Sequence, residues 1–316
     1  MTSVTAYRDY VQEFSDKLIG KAFFSPKTVR MAQEAGTAHE GVKGRKTLTT
    51  FDVADNKAVV WQKDFSAASG ATSVAPRHLD VVAIKRDLSF CPQEFESNYL
   101  GFMRGKGQNP GEDLPFAGFI LEQILAKHAE EIETALWSGV KAGTVTPGTT
   151  AMNAAFNGLL KLITDAVTGG LSPVATPGGA ITTSNIVALV ESMWDSLGAG
   201  YKENPVYVWM SWKNYQRYQQ GYRSEFGKYT TQGPDARTTL DFGQNAILLP
   251  SPGLGTSNRI IMTPANNIHV GYDDFEGAQI FNFEQNKRVI DYWMDFKIGV
   301  QLARITSDVL VVNDLT

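Results

Sequence analysis

A chain of 316 residues and 34.6 kDa has room for about two domains at roughly 150 residues each. With 43% hydrophobic and 20% charged residues it can build a packed core, which excludes global disorder. A net charge of -4 excludes a whole-chain nucleic-acid signature, and a single cysteine, Cys91, excludes an intrachain disulfide framework and a cysteine-rich zinc site.

From the N-terminus, residues 6–22 predict an amphipathic helix, with Tyr7, Tyr10, Val11, Phe14, Leu18 and Ile19 at three- and four-residue spacing. Acids and aromatics stand where a secretory signal would carry a basic start and an apolar run, and no stretch approaches 18 apolar residues. The expectation is a soluble, cytoplasmic protein. Ser25-Pro26 ends the helix, and residues 32–46, with three glycines, read as an extended connector. Two strand-like runs, Lys57–Phe65 and Arg77–Phe90, flank the small-residue segment 66–76 and predict a long hairpin; Thr47–Val53 adds a third strand. The hairpin alternates weakly, and an isolated hairpin is marginal in water, so its stabilising contacts are expected elsewhere in the chain or on another subunit.

Residues 113–137 carry the strongest helical pattern, about 37 Å long at roughly 1.5 Å per residue. Asp113 suits the N-cap, and Pro115 fits the first turn. Phe116, Ile120, Ile124, Ile132 and Leu136 form one row, and Ala117, Leu121, Leu125 and Ala129 the next. Glu130, Glu131 and Glu133 read as a solvated or intersubunit face. After a glycine- and threonine-rich crossover come a helix at 156–167, a helix capped by Ser184, a strand at 206–210, and a helix capped by Ser211. A polar loop spans 224–239. Strands follow at 246–249, 259–263, 267–271, 278–283 and 288–295, with a long final one at 297–312. No repeat of 20–50 residues is present.

Motifs for chemistry are missing. There is no GxxxxGK[ST], HExxH or G-x-S-x-G, and Gly253-Leu254-Gly255 reads as a turn. His39, His78, His128 and His269 are scattered; His128, in the apolar helical row, reads as a satisfied, partly buried histidine. Cys91, before Pro92, reads as a buried structural thiol. Asp273, Asp274 and Glu276 lack calcium-loop spacing and read as an exposed acidic turn. The aromatics Trp209, Trp212, Tyr215, Tyr218, Tyr222, Phe226 and Tyr229, interleaved with Lys213, Arg217 and Arg223, read as packing rather than as base-stacking groups. No catalytic, metal or cofactor-binding residues are expected. Residues 1–110 hold 15 basic and 12 acidic groups, against 14 and 21 in the remainder, a mild bias of the first third toward polyanions or an acidic neighbour.

The order of elements carries the most information. Phe119–Gly139 (FILEQILAKHAEEIETALWSG) resembles a long spine helix with a small-residue exit. Thr239–Asp274 resembles a set of return strands, with a glycine before a strand, a proline-containing loop, Ile-Ile-x-Thr-Pro, and x-Gly-Tyr-Asp in succession. Asp295–Asp314 resembles a terminal strand. Together they resemble the major capsid proteins of tailed bacteriophages with the Hong Kong 97-type fold, an α+β class, along essentially the whole chain.

The resemblance implies an N-terminal arm at 1–40, an extended hairpin loop at 41–90, a peripheral domain from 91–144 and 264–316, and an axial domain at 145–263. It implies self-assembly, through hexamers and pentamers, into an icosahedral head shell around the viral genome, located in the virion and assembled in the host cytoplasm. Tyr10, Phe14, Trp61, Phe65, Ser69, Gly70 and Arg77 are expected at subunit interfaces, and Lys228, Tyr229, Gln232, Asp235 and Arg237 in an axial loop. Scaffolding, portal and decoration proteins are the expected partners, with packaged double-stranded DNA held non-specifically and no membrane. The short arm suggests a separate scaffold or none. Some relatives crosslink through a lysine on the extended loop; Lys57 and Lys63 lie in that region, but no motif selects either. Two alternatives stand beside this: an encapsulin-like nanocompartment shell, and a soluble αβ enzyme with a pocket near Glu130 or Asp273.

Overall fold

The computed structural model describes residues 4–53, 60, 61, 63, 72–95, 116–227, 238–240, 243, 245–273 and 281–315. Helix α1 (Val4–Ile19) kinks at Phe14 (φ -118°, ψ 23°) and passes into a π-helical turn at Gly20–Phe24. Its apolar face, with Tyr7, Tyr10, Val11 and Leu18, is buried. A second helix, α2 (Lys27–Glu34), follows the expected break at Ser25-Pro26 and runs three residues into the expected connector at 32–46. Pro26 opens it, and Thr28, Val29 and Ala32 are its buried face. Two turns are too few for helical spacing to stand out from the polar residues around them.

Strand β1 (Ala38–His39) leads to β2 (Arg45–Val53) and β3 (Thr72–Asp80), which form an antiparallel hairpin pairing Arg45 with Asp80 and Val53 with Thr72. The hairpin partner of residues 72–80 is therefore the earlier run, and the expected strand Arg77–Phe90 is two strands. At Val81 the chain leaves the hairpin, and β4 (Val82–Phe90) joins a different sheet. Of the expected strand 57–65, only 60, 61 and 63 are described, and none is in a strand.

Helix α3 (Phe116–Ser138) is the spine, about 34 Å long at roughly 1.5 Å per residue. The expected cap Asp113 lies outside the described residues. Ile120, Leu121, Leu125, Ile132 and Leu136 are buried along it, as their spacing requires. Helix α4 (Leu159–Thr168) follows, and then α5 (Ile186–Ser196), whose cap position is Asn185 rather than Ser184. Asn185 accepts from the Thr182 amide and donates to the carbonyls of Pro177 and Ala180, closing the entry turn. After β5 (Val206–Met210), helix α6 (Trp212–Phe226) begins behind Ser211, which sits at the cap position without a side-chain cap bond.

The C-terminal strands are β6 (Ala246–Pro250), β7 (Ile261–Pro264), β8 (Ile268–Tyr272), β9 (Phe281–Asn286), β10 (Val289–Leu302) and β11 (Val311–Val312). The two strands expected at 288–295 and 297–312 are one 14-residue strand that stops at Leu302 and a two-residue strand after a turn. Asp295 and Lys297 do not break β10. They alternate with buried Met294, Phe296 and Ile298, so the period of two runs through them.

Two sheets result. The first runs β1-β8-β10-β4, with β9 also paired to β10; the second runs β11-β7-β5-β6. Strand β5 (VYVWM) is buried on both faces, as near-continuous apolar strands are when both sides of a sheet are covered. Val206, Val208 and Met210 enter the core beneath α5 and α6, whereas Tyr207 and Trp209 enter the core built around α3 and the first sheet. The two cores are thus opposite faces of one strand.

Candidate assembly surface

The hairpin is seated on the first sheet at one place. Gly271 of β8 and Gly299 of β10 are register partners. A Cβ on Gly299 would lie 2.1 Å from the Asp80 carbonyl oxygen, and one on Gly271 would lie 2.9 Å from Leu79. This pair of missing side chains forms a saddle that admits the backbone where β3 turns into β4. Leu79 is fully buried on it, and the Val81 amide donates to the Gly44 carbonyl at 2.9 Å.

Side chains complete the seat. Arg77 donates to the Leu302 carbonyl at 2.8 Å and to Gln301 at 3.2 Å. Arg304 donates to the Phe51 carbonyl at 3.3 Å and to the Tyr201 hydroxyl at 3.1 Å. Arg45 and Asp80 pair across the hairpin through two contacts, 2.5 and 3.1 Å. Partial burial lowers the Arg77 pKa from its ordinary value, and the guanidinium remains cationic.

Beyond the seat the hairpin turns apolar surface outward. Phe51 is 58% exposed, and Val74, its register partner, is 57% exposed. Val60 and Trp61 are 92% and 87% exposed. These are the most exposed large apolar side chains among the described residues. Large apolar side chains otherwise find cover, so these form the candidate interaction surface among the described residues. Further exposed aromatics, Trp212 and Phe226, stand at the two ends of α6.

Of the other residues expected at interfaces, Tyr10 is buried within its own chain and Phe14 packs against the same core. Their rings lie 4.8 Å apart. Arg77 serves the seat. Phe65, Ser69, Gly70, Lys228, Tyr229, Gln232, Asp235 and Arg237 lie outside the described residues, as do Lys57, Asp274 and Glu276.

Several polar groups differ from expectation. Glu133 is buried, not on a solvated face. Its carboxylate accepts from the Thr28 amide (3.0 Å), Thr28 hydroxyl (2.8 Å), Trp137 indole (3.2 Å) and Ser251 hydroxyl (2.6 Å). One carboxylate thereby joins α2, the spine and the loop after β6. Sequence spacing missed it because Thr28 and Ser251 lie more than 100 residues away. His128 is buried between Phe23 and Phe296, but neither ring nitrogen has a hydrogen-bond partner, so it is not a satisfied histidine. Burial, with the nearby Arg86, pushes its pKa down to about 3. Cys91 is half-buried and a free thiol. Asp273 is paired with Lys43 (3.1 Å) and Lys297 (2.8 Å) rather than standing in an open acidic turn.

Clefts of about 520, 630 and 480 Å³ are present. The first holds the Arg86–Glu131 ion pair (2.5 Å) beside His128, and the second lies between the hairpin base and the body. Among the described residues no group of three His, Cys, Asp or Glu side chains could hold a metal, and no helix is long and apolar enough to cross a membrane.

Residues 121–266 match the sequence model of the SU10 major capsid protein family. The capsid of the native GTA particle is similar in structure, with a TM-score of 0.54 at 12% identity, covering 91% of this chain and 90% of that one. The chain of Gordonia phage Cozz gives 0.53 at 12% identity over 90% and 85%. A chain of the satellite phage P4 procapsid gives 0.50 at 13% identity over 99% and 90%. At these identities the likeness is one of fold, the Hong Kong 97-type capsid fold. No curated protein sequence matches the chain.

Proposed function

We propose that this chain, a major capsid protein of the tailed-phage type, closes its icosahedral head shell around the viral genome by docking the hairpin on a neighbouring subunit. The observation that carries the docking step is the exposed apolar side chains Phe51, Val74, Val60 and Trp61, with the base of the hairpin seated on Gly271 and Gly299.

The subunits associate head to tail into hexameric and pentameric rings, because a heterologous contact closes when its rotation divides a full turn. Obligate interfaces of about 2,000–5,000 Å² hold such rings. Residues 1–40 serve as the arm, 91–144 with 264–316 as the peripheral domain, and 145–263 as the axial domain, with the loop around 228–237 near the ring centre. The net charge of -4 supports containment of packaged DNA rather than sequence-specific binding. Assembly takes place in the host cytoplasm, with scaffolding, portal and decoration proteins as the separate partners that a shell of this kind engages.

Negative-stain electron microscopy of the purified full chain tests this directly. Shell-like particles are expected from the wild-type chain. A Phe51→Ser, Trp61→Ser double variant should stay folded by circular dichroism and fail to form them; deletion of residues 66–76, which also removes the half of β3 paired with Thr49–Val53, should abolish them too. Particles of unchanged size and stability from both variants would sink the role given to the hairpin.

A further inference from the structure

A chain of three nitrogen groups links the arm side of the hairpin to the first sheet. Lys46 Nζ lies 2.9 Å from His39 Nδ1, and His39 Nε2 lies 2.8 Å from His269 Nδ1. The two imidazoles are stacked, with centroids 5.0 Å apart and planes 14° from parallel. An ammonium group only donates, so His39 Nδ1 is the acceptor and its proton is on Nε2. That N–H donates to His269 Nδ1, which leaves the second proton on His269 Nε2; His269 also hydrogen-bonds the backbone of Asn266. Every link is satisfied with both rings neutral. A proton added to either Nδ1 sets a donor against a donor and adds positive charge beside Lys46.

The position makes this consequential. His39 ends β1, a two-residue edge strand that joins β8 only through Ala38 and His39. Six residues later the hairpin begins. On the far side of the junction the cleft of about 630 Å³ separates Thr47–Thr50 of β2 from Thr37, Asn267 and Arg304 of the body, which leaves the junction room to move. The charged groups packed around the rings are Lys46 from β2 and, on the cleft wall shared with His269, Arg304; Glu40, next to His39 in the chain, is exposed and acts on Tyr272. Cations therefore dominate, and none of these groups compensates a protonated ring.

We propose that the His39–His269 pair is an acid-operated latch, which pins the junction between arm and hairpin to the sheet while neutral and releases it on protonation. Burial and Lys46 lower the His39 pKa; at His269, burial, His39 and Lys46 outweigh the Asn266 backbone hydrogen bond, which favours the charged ring, and bring the pKa down to about 4. The pinned state thus holds fewer protons than the released one. Its advantage is full above the ordinary histidine pKa of about 6.5 and is lost as pH falls toward about 4, by up to about tenfold per pH unit for each titrating group. The two rings titrate as a coupled unit.

Hydrogen exchange of residues 35–50 in the full-length chain, corrected for intrinsic rates, is the measurement. Wild-type protection should drop at least tenfold between pH 7 and pH 4.5. His269→Asn keeps an amide oxygen as acceptor for His39 and removes one of the two titrating rings, so its protection should drop measurably less than the wild type's over that range, His39 alone supplying the remainder. Lys46→Gln keeps a donor to His39 but deletes the charge that depresses both rings, so the gap between pinned and released pKa narrows and the drop should shrink as well. A flat wild-type profile, a His269→Asn drop equal to the wild type's, or a Lys46→Gln drop as large as the wild type's or larger would each overturn the latch. Should His269→Asn fail to fold, the size of the Lys46→Gln drop decides alone.

Discussion

At the scale of single residues, two buried polar groups on the spine helix have opposite consequences. Glu133 accepts four hydrogen bonds from donors that are themselves buried. Hydrogen bonds to a charged group contribute about 1.5–3 kcal/mol each, with incomplete additivity. Glu133→Ala should therefore cost about 3–5 kcal/mol in urea unfolding of unassembled chain. Glu133→Gln, which keeps one acceptor, should cost less. His128 forms none of the bonds that would offset its burial. His128→Leu should raise stability by about 1–2 kcal/mol at pH 7, the scale of an unpaired buried polar group. The sign with pH follows from its depressed pKa of about 3. The folded state keeps the ring neutral, and the unfolded state protonates it below about pH 6.5. The wild-type chain therefore loses stability on acidification by up to about 1.4 kcal/mol per pH unit from this group. The leucine variant does not, so the gap between the two should widen toward pH 4 in parallel denaturation curves.

At the scale of elements, the hairpin depends on its seat more than on its own pairing. A two-stranded ribbon has little private core, and here Leu79, Leu48 and Val81 bury themselves only because Gly271 and Gly299 let the ribbon lie flat on the sheet. Gly299→Ala would place a methyl group against the Asp80 carbonyl, a backbone atom that cannot rotate away. Overpacking of this kind costs about 1–3 kcal/mol. The expected result is faster proteolysis within residues 45–80 while the core beneath α5 and α6 keeps its protection, with loss of particle formation. Unaltered cleavage in this variant would mean that the saddle does not set the hairpin's position. Strand β4 shows the complementary point. It continues directly from the hairpin yet pairs with β10 over nine residues, so the hairpin is continuous with the sheet, not a loop tethered to it.

For the whole molecule, β5 explains how a chain with two cores behaves as one unit. Its alternate side chains enter both cores, so neither core can form fully without that strand. Trp137 and Trp209, 5.1 Å apart, tie the spine to it, each ring removing about 150–250 Å² from water. The spine helix and the strands β6, β7 and β8 were legible from local pattern, because helical and strand periods are written within a dozen residues, whereas the fold class was legible only through the family resemblance. Of the aromatic run at 209–229, Trp209, Tyr215, Tyr218 and Tyr222 pack as expected, whereas Trp212 and Phe226 are exposed and Tyr229 lies outside the described residues. What local pattern does not encode is partnership across the chain. The hairpin's true strand pairing, the burial of Glu133, the orphaned ring of His128, and the meeting of His39 with His269 each bring together residues remote in sequence. Only the tertiary structure decides those, because hydrogen bonds and desolvation depend on distance in space, whereas the hydrophobic period depends on distance along the chain.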